Sequence, residues 1–547
     1  QPCCEYVSPF VHSEGQQLAF MVMPDMMGED EIAAFPLLAE DQPYMYLAIR
    51  NLIMAVWSQN VKEWVTKECC SRQFICRGLN RACAVHLLDS ILAYLTSAGY
   101  INVGLLSVPP SVCPSSASQC EVVVIGAGIS GLAAARRLHD SGVKVKVVES
   151  KSRTGGRVWD QDRSGVCFSR GAQLLAGSVN NPMALIAYQS GQPVHKITDR
   201  CQILQENGKV VDPINDRRLD FHFNAMLDVI GQWRLLGKPD ASVLDKFNEL
   251  HQEFVEETQL IFTKEDQQIL QFHLAFLEYV GGCPLNQLSA SHWDQHEAMP
   301  QFGEPHLILP SGYTPLLNHI AQGLDIVIVT LPLGILRSGN VVFQPSLPVH
   351  KEKAIASLGV GKMEKVILQF DRNFWREKVK GDDFFGRVPA SESERGLFNI
   401  FYTVKCKNSK TSKVTYLLVT HIVGQAVETV HEKSDEEIKN LCLETLRSIF
   451  SAKVPEPVSW AVTSWSKDPD IQMSQTYLPV GVDGQMLDIM AETVNDRIYF
   501  AGEATNRQFP QSVAGAYLSG MREAAKILDN LTGGDDSTNS ENSIEQS

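Results

Sequence analysis

The chain lacks a long hydrophobic run, a regular cysteine pattern and an excess of basic residues. Its longest predominantly apolar stretches, such as Leu47–Trp57, fall short of the roughly 20 residues that a transmembrane helix needs, so no membrane span is predicted. The thirteen cysteines show neither a disulfide framework nor the CxxC pairs of a zinc site, and we expect reduced thiols, no metal and an intracellular location. Lys and Arg number 48 against 63 Asp and Glu, and no basic run with interleaved aromatics predicts direct DNA binding.

The size and composition indicate a large chain with several domains. It has 547 residues, of which 44% are hydrophobic and 20% charged, which is enough for more than one core. It begins at Gln1 without a methionine or a signal-peptide pattern, so we expect its true amino terminus to lie upstream.

Residues 121–157 hold the most informative motif. Glu121–Ile125 predicts a buried β-strand, after which three glycines form the pattern GxGxxG. A helix from Leu132 would point its amino end at phosphates, and Glu149, at the end of a second strand, is placed to accept ribose hydroxyls. The pattern predicts a doubly wound, Rossmann-like α/β domain that binds an adenine dinucleotide. The predicted contacts in the turn are Gly126, Ala127, Gly128, Ser130 and Gly131.

A second basic, glycine-rich turn follows the acidic strand. Its segment SRTGGRVWD resembles the one that lies along the FAD pyrophosphate in flavin amine oxidases. The segment YFAGEATNRQFPQSVAGAY, at Tyr499–Tyr517, resembles the closing FAD segment of the same family. The resemblance implies FAD as cofactor. It also implies FAD contacts from Lys151, Gly155, Gly156, Arg157, Gln173, Leu174, Trp465, Glu503, Gln511, Ser512 and Val513.

A proline- and serine-rich stretch at Ser107–Gln119 is typical of a linker and divides the chain into two modules. Before it, apolar residues recur at helical spacing, and Gly99 is a predicted helix stop. Asp30–Leu105 resembles the SWIRM domain of chromatin proteins; an unrelated helical bundle packed on the enzyme is the alternative. The residues with helical spacing are Tyr46, Ile49, Ile53, Val56, Trp57, Val85, Leu88, Leu92 and Leu95.

These patterns set the predicted domain boundaries. They are an N-terminal extension at 1–29, an all-α SWIRM-like domain at 30–106, a linker at 107–120, a flavin amine oxidase domain at 121–531 and a disordered tail at 532–547. Within the oxidase we expect an FAD lobe at about 121–200, 307–345 and 456–531. An α+β substrate lobe is expected at about 201–306 and 346–455.

The order of a SWIRM-like domain and a flavin amine oxidase resembles the lysine-specific histone demethylases, from about Asp30 to Leu531. No heptad insertion indicates the helical tower of one type, so the chain resembles the tower-less type, whose zinc-finger region would precede Gln1. The resemblance implies oxidation of mono- and dimethyl-lysine near the amino end of histone H3, with formaldehyde and hydrogen peroxide as products. It also implies a nuclear protein with the histone H3 tail, the nucleosome and chromatin cofactor proteins as partners.

Lys365 is the predicted catalytic residue. In SLGVGKMEKVILQF it matches the family lysine that holds a water at the flavin, and burial would lower its pKa. Lys362 is its natural control. The net charge of −15 favours attraction of a basic tail, and Asp294, Glu297 and His306 match tail-contacting positions in relatives.

Three positions in the substrate pocket and near the flavin depart from the family pattern. Gln475 stands where amine oxidases have a tyrosine, Asp470 where relatives have a tryptophan, and Phe276 where they have an asparagine. Tyr477 could replace the missing tyrosine through a local shift. Because aromatic walls exclude water and orient the amine, their loss predicts slower catalysis or another substrate.

A larger departure lies at Gly323–Pro332, GLDIVIVTLP. By resemblance, strands that touch the adenine side of FAD belong between the two halves of this segment, so an internal deletion near residue 326 is predicted. Two alternatives to a histone demethylase therefore stay open. One is an oxidase of polyamines or small amines, and the other is a catalytically impaired chromatin-binding protein.

Overall fold

The computed structural model describes residues 2–12, 17–113, 116–198, 200–326, 331–339, 341–380, 383–451 and 454–541. Its helices are α1 (Glu29–Ala34), α2 (Pro36–Asp41), α3 (Pro43–Gln59), α4 (Lys67–Ser71), α5 (Gly78–Ser97), α6 (Ile129–Asp140), α7 (Pro182–Gln189), α8 (Pro213–Arg234), α9 (Val243–Thr258), α10 (Lys264–Gly281), α11 (Thr314–Ala321), α12 (Leu333–Arg337), α13 (Val349–Ser357), α14 (Arg376–Val379), α15 (Ala426–Val430), α16 (Asp435–Phe450), α17 (Gln485–Ala491) and α18 (Val513–Glu541). Its strands are β1 (Glu121–Ile125), β2 (Lys144–Val148), β3 (Asp160–Arg163), β4 (Val166–Ser169), β5 (Leu174–Leu175), β6 (His195–Lys196), β7 (Gln202–Leu204), β8 (Leu307–Ile308), β9 (Asp325–Ile326), β10 (Gly359–Val360), β11 (Glu364–Phe370), β12 (Phe384–Arg387), β13 (Leu397–Lys407), β14 (Val414–Ile422), β15 (Ser459–Val462) and β16 (Thr476–Tyr477).

The N-terminal module is helical, as the apolar spacing predicts. Helices α3 and α5 pack against each other and bury one stripe each, and Gly99, with φ of +82°, follows the end of α5. The buried stripe residues are Tyr46, Ile49, Ile53 and Trp57 of α3 and Leu88, Leu92 and Leu95 of α5.

A buried ion pair ties α1 to α3. The Nη1 atom of Arg50 donates to both carboxylate oxygens of Glu31, at 3.1 and 2.9 Å. Its Nη2 atom donates to the carbonyls of Met23 and Met26, and the Tyr46 hydroxyl donates to Glu31 at 2.9 Å. Arg50 is 0% and Glu31 2% exposed, so each charge depends on the other for compensation.

The helical module packs on the C-terminal domain through the segment before α1. The Ala19 amide donates to the Gln301 carbonyl at 2.7 Å. The Phe20 ring lies 6.2 Å from Phe302 and 6.1 Å from Phe509, which stack on each other at 4.1 Å. Gln301, Phe302 and Phe509 also line the large cavity of the C-terminal domain, so the helical module lies beside that cavity.

The dinucleotide domain has the predicted strand–turn–helix–strand order. Strands β1 and β2 pair in parallel from Glu121↔Lys144 to Ile125↔Val148, and β9 pairs in parallel with the other side of β2. Helix α6 begins at Ile129 and not at Leu132, because Gly128 has the extended backbone of an N-cap residue. Helix α18 packs along α6.

Strand β1 is partly exposed, although we predicted a buried strand. Val123 and Ile125 are 56% and 55% exposed, and in the described residues β1 has no strand partner on the edge away from β2. A parallel strand is buried only when neighbouring strands and helices cover it. The prediction assumed a complete sheet, and here β1 is an edge strand.

The carboxyl-terminal end also differs from the prediction. Helix α18 continues through Thr532, where we predicted the start of a disordered tail, to Glu541. Once its first turns pack on α6, each further helical residue needs no new nucleation. Residues 542–547 lie outside the described residues.

The substrate lobe is built on a mixed sheet with the strand order β15-β11-β14-β13-β12-β7. Strand β11 is buried along its whole length because β14 and β15 flank it. Helices α8, α9 and α10 contribute to the adjoining apolar core. Strand β15 belongs to this sheet although we predicted its residues in the FAD lobe, so the lobe boundary lies after Val462.

All thirteen cysteines are free thiols. Within the described part of the chain, no helix combines the length and the apolar character that crossing a bilayer requires. The same residues contain no cluster of three or more His, Cys, Asp or Glu side chains suited to a metal ion.

Candidate active site

The glycine-rich turn between β1 and α6 forms an open cradle. Gly126 has a φ of +118°, which favours glycine, and its amide donates to the Val148 carbonyl at 2.6 Å. A Cβ on Gly131 would overlap the Gly126 carbonyl oxygen, whereas a Cβ on Gly128 would meet only open space. The backbone is thus accessible where the amino end of α6 favours a phosphate.

Glu149 ends β2 beside this turn. Its carboxylate is 1% exposed and accepts the amides of Ala127 at 3.0 Å and Lys151 at 2.9 Å. This geometry fixes the carboxylate at the lip of the cradle, the position from which an acid accepts ribose hydroxyls in dinucleotide folds.

The second turn packs directly on the first. The Gly155 amide donates to the Ala127 carbonyl at 2.7 Å, and Gly155 and Gly156 both have positive φ. Arg157 donates to Glu503 at 2.8 Å, which joins this turn to the closing segment. The two segments that resemble FAD-binding sequence, far apart in the chain, therefore meet.

The closing segment turns at Gln511, whose φ is +59°. Its Nε2 atom donates to the carbonyls of Gly281, at 3.1 Å, and Thr476. The Ser512 hydroxyl caps the following turn by accepting the Gly515 amide at 2.9 Å, and α18 begins at the next residue. This segment thus links the FAD lobe to α10 of the substrate lobe.

Lys365 lies on β11 with its amine held by backbone oxygens. The Nζ atom donates to the carbonyls of Ser169, at 3.1 Å, and Gly171, and is 3.5 Å from the Gln173 side-chain oxygen. Burial lowers the pKa of Lys365 from 10.5 to about 7, against the opposing influence of Asp160. The amine can therefore change its charge near neutral pH.

One cavity of about 1510 Å³ joins the cradle to Lys365. Every predicted cofactor residue except Ala127 lines it, and Ala127 instead holds Glu149 in place. The volume exceeds the roughly 300–1,000 Å³ of ordinary small-molecule sites, so the cavity has room for a dinucleotide and a substrate side chain together. The open cradle and the buried acid fit the adenosine diphosphate half of FAD.

Lys151, which we predicted to contact FAD, is paired with two nearby carboxylates. The Nζ atom of Lys151 forms ion pairs with Asp468 at 2.7 Å and Asp470 at 3.1 Å. Asp470, which we matched to a tryptophan of relatives, thus pairs with the lysine that we predicted to contact FAD. Trp465 lies nearby and donates through Nε1 to the Arg170 carbonyl at 3.2 Å.

The predicted substrate residues separate into two groups. His306 and Gln475 line the cavity, while Phe276, Asp294, Glu297 and Tyr477 do not. Asp294 is ion-paired with Arg234, and Glu297 is exposed beside it. His306 accepts the Gly177 amide at 2.8 Å and lies 3.2 Å from Glu304, which also lines the cavity and is 74% exposed.

The structure does not place Phe276 or Tyr477 in the pocket wall. Phe276 is 43% exposed on α10, one turn from the cavity. Tyr477 pairs with Gly359 in a short ladder, and its hydroxyl donates to Gln287 at 2.8 Å, so the proposed local shift does not bring it to the cavity.

Three rings that we did not predict line the cavity beside Lys365. They are Tyr279 on α10, Tyr402 on β13 and His421 on β14. The His421 ring lies 4.9 Å from that of Tyr279 and 6.2 Å from that of Tyr402. The available signal was the histidine itself, which interrupts the apolar strand sequence YLLVTHI.

A dinucleotide cradle that opens into a ring-lined pocket with a buried, weakly basic lysine defines a flavin-dependent amine oxidase. Residues 129–326 and 324–528 match the family model described as flavin containing amine oxidoreductase, and residues 19–103 match the SWIRM domain. The chain belongs to the flavin containing amine oxidoreductase family, within its SWIRM-bearing group of lysine-specific histone demethylases. Its cofactor is FAD, as predicted.

Curated relatives support this grouping. The chain is 43% identical to lysine-specific histone demethylase 2 of Homo sapiens over 559 positions, which cover 95% of the chain and 67% of the relative. It is 42% identical to lysine-specific histone demethylase 1B of Mus musculus over 561 positions, with the same coverage of each. It is 31% identical to the lysine-specific histone demethylase 1B homolog of Caenorhabditis elegans, covering 94% of the chain and 69% of the relative.

Solved structures confirm the predicted oxidase fold. A cyclohexylamine oxidase from Brevibacterium oxydans superposes with a TM-score of 0.58 at 18% identity, over 76% of this chain and 99% of that one. A redesigned putrescine oxidase gives a TM-score of 0.57 at 19% identity, over 75% and 99%.

A further comparison concerns Gly323–Pro332, where we predicted an internal deletion near residue 326. The family match ends at Ile326 and resumes at Leu324, so it divides in two there. The alignment with the human relative has more positions than this chain has residues, so that relative contains residues that this chain lacks.

We expect Glu149→Ala to weaken FAD binding about tenfold to a hundredfold, because a charged acceptor for ribose hydroxyls is lost. The ratio of flavin to protein absorbance after gel filtration, followed by titration with FAD, measures this. Glu432→Ala is the matched control, since its carboxylate is 96% exposed. Equal FAD retention in both variants would remove Glu149 from the cofactor site.

Proposed function

We propose that the chain is an FAD-dependent histone lysine demethylase that oxidises N-methyl groups of mono- and dimethyl-lysine near the amino end of histone H3. The observation that carries the proposal is the single cavity that runs from the dinucleotide cradle to Lys365 and its surrounding rings. Relatives at 42–43% identity that are named as lysine-specific histone demethylases support the substrate class.

Held by the two glycine-rich turns and the Glu503 segment, FAD would supply the acceptor for a hydride from the N-methyl group. With water for hydrolysis and molecular oxygen for reoxidation, the products would be formaldehyde, a lysine with one methyl group fewer and hydrogen peroxide. The residues of the chain bind and orient the reacting groups and exclude water from them. The carbonyls of Ser169 and Gly171 hold the Lys365 amine at the cavity wall, and Tyr279 and Tyr402 line the approach. A trimethyl-lysine has no nitrogen lone pair and is not a substrate.

A basic histone tail fits the charge of the chain. The net charge is −15, and exposed Glu304 lies at the cavity beside His306. Glu297 is also free to meet a cation, whereas Asp294 is already neutralised by Arg234. We infer a nuclear protein whose partners are the histone H3 tail, the nucleosome and chromatin cofactor proteins.

The substrate class is tested by comparing turnover of a dimethyl-lysine histone H3 peptide with that of spermine and putrescine. We expect formaldehyde release from the peptide and slow turnover of the small amines. The reverse order would support a small-amine oxidase, whose fold this chain shares.

One observation favours a second candidate, an impaired chromatin-binding protein. The open edge of β1 coincides with the divided family match and is consistent with an internal deletion near residue 326. Loss of two or three backbone hydrogen bonds to FAD, each contributing about 0.5–1.5 kcal/mol, would weaken binding roughly tenfold to a thousandfold. Under this alternative the purified protein is colourless even with added FAD.

We expect kcat/KM for the peptide to rise with pH through about 7. Below that pH Lys365 is an ammonium and repels the cationic substrate, and above it the amine is neutral. The measurement is kcat/KM between about pH 6 and pH 9, compared with Lys365→Met. The rise near pH 7 should be absent from the variant, while a rise at higher pH from the substrate's own amine persists.

A further inference from the structure

His421 is a buried histidine whose ring nitrogens have no hydrogen-bond partner among the described residues. It is 9% exposed and lines the cavity, and no described residue makes a hydrogen bond to its ring nitrogens. Buried polar groups in proteins are normally paired. A ring nitrogen that lacks a protein partner and faces a cavity indicates that a ligand or a water supplies the bond.

The position of His421 relative to Lys365 is fixed by the sheet. Strands β11 and β14 are antiparallel, and Lys365 and His421 are directly opposite in their register. Opposite residues project from the same face, with Cβ atoms about 4.5–5.5 Å apart. The imidazole therefore meets the same part of the cavity as the Lys365 amine.

The surroundings keep His421 neutral. Burial, followed by the charge of Lys365, holds the pKa of His421 well below its usual value. Its other neighbours are the phenols of Tyr279 and Tyr402, whose pKa values burial raises. A neutral imidazole has one nitrogen donor and one nitrogen acceptor.

We propose that His421 is a specificity-determining residue that accepts a hydrogen bond from the N–H of a mono- or dimethyl-lysine ammonium as the substrate binds beside Lys365. The proposal rests on the proposed function. A trimethylammonium has no N–H and receives nothing from this acceptor, whereas the rings of Tyr279 and Tyr402 attract all three cations alike. The residue thus distinguishes methylation states by hydrogen bonding and not by size.

The test uses His421→Phe, which keeps a ring and removes the acceptor, and His421→Asn, which keeps an acceptor. Calorimetric affinities of histone H3 peptides carrying dimethyl- or trimethyl-lysine are measured on the FAD-loaded proteins. We expect His421→Phe to weaken dimethyl binding roughly tenfold to a hundredfold, the range for a hydrogen bond to a charged group. Trimethyl affinity should be unchanged, and His421→Asn should recover part of the dimethyl loss.

Two outcomes overturn the proposal. One is an unchanged dimethyl affinity in His421→Phe, and the other is an equal loss for both peptides, which a purely structural role would give. Flavin absorbance and melting temperature of each variant confirm an intact site. The wild-type protein is tested for peptide oxidation in parallel, so binding that discriminates methylation states without oxidation would contradict the demethylase function and not the role of His421.

Discussion

Lys365→Met is expected to slow oxidation of a dimethyl-lysine peptide by about 10²–10⁴-fold while FAD stays bound. Methionine fills similar space but cannot donate to the Ser169 and Gly171 carbonyls or exchange a proton. The variant loses the side-chain amine that lies 3.5 Å from the Gln173 side-chain oxygen at the cavity wall. Rapid-reaction measurement of anaerobic flavin reduction isolates that step from reoxidation.

Lys362→Met is the matched control for this experiment. Lys362 lies three residues before Lys365. Its side chain, however, is 43% exposed and forms an ion pair with Glu428 at 2.8 Å. Surface pairs of this kind contribute little, so its loss should leave flavin reduction unchanged. Full activity of Lys365→Met would exclude the lysine from the mechanism.

Glu31→Ala is expected to destabilise the helical module by about 3–5 kcal/mol, because the change leaves the Arg50 guanidinium buried without its counter-charge. Hydrogen exchange of the α3 amides, read by mass spectrometry, measures the local free energy of opening in the intact chain. Exchange should accelerate by more than a hundredfold in α3.

Two further variants distinguish the effect of the uncompensated buried charge from a general loss of stability. Glu63→Ala removes an exposed carboxylate from the same module and should leave exchange unchanged. Replacing both partners, Glu31→Leu with Arg50→Met, removes the uncompensated charge and should restore most of the protection. Equal exchange in Glu31→Ala and Glu63→Ala would show that the pair contributes no stability.

Local patterns made the dinucleotide cradle predictable. Gly126, Gly128 and Gly131 all belong to the turn between β1 and the start of α6. Glu149 follows after one helix and one strand, so its distance along the sequence is also characteristic. The apolar spacing in the sequences of α3 and α5 likewise predicted the helical module. Such features depend on residues close in sequence, where turn chemistry and helical periodicity act.

The ring-lined pocket was not predictable in the same way. Tyr279, Tyr402 and His421 come from three different elements and meet only because α10 packs on the sheet that contains β13 and β14. We predicted departures from the family pattern at Gln475 and Phe276 but did not predict these rings. Side chains brought together by tertiary packing leave no spacing pattern in the sequence.

The exposure of β1 has a related cause. Its sequence, EVVVI, predicts a buried strand wherever a complete parallel sheet surrounds it. The burial of a strand depends on the strands beside it in the sheet. Among the described residues, β1 has such a neighbour only on the side of β2. The predicted internal deletion lies at Gly323–Pro332, far from β1 in the sequence, so the pattern of β1 alone did not reveal its open edge.

The most direct test of the proposed function is the visible absorption spectrum of the purified protein during anaerobic addition of a dimethyl-lysine histone H3 peptide. We expect a yellow flavoprotein whose absorbance bleaches with the dimethyl peptide and stays unchanged with the trimethyl peptide. A flavin that is not reduced by the dimethyl peptide, or a protein that stays colourless with added FAD, would contradict a histone demethylase function for this chain.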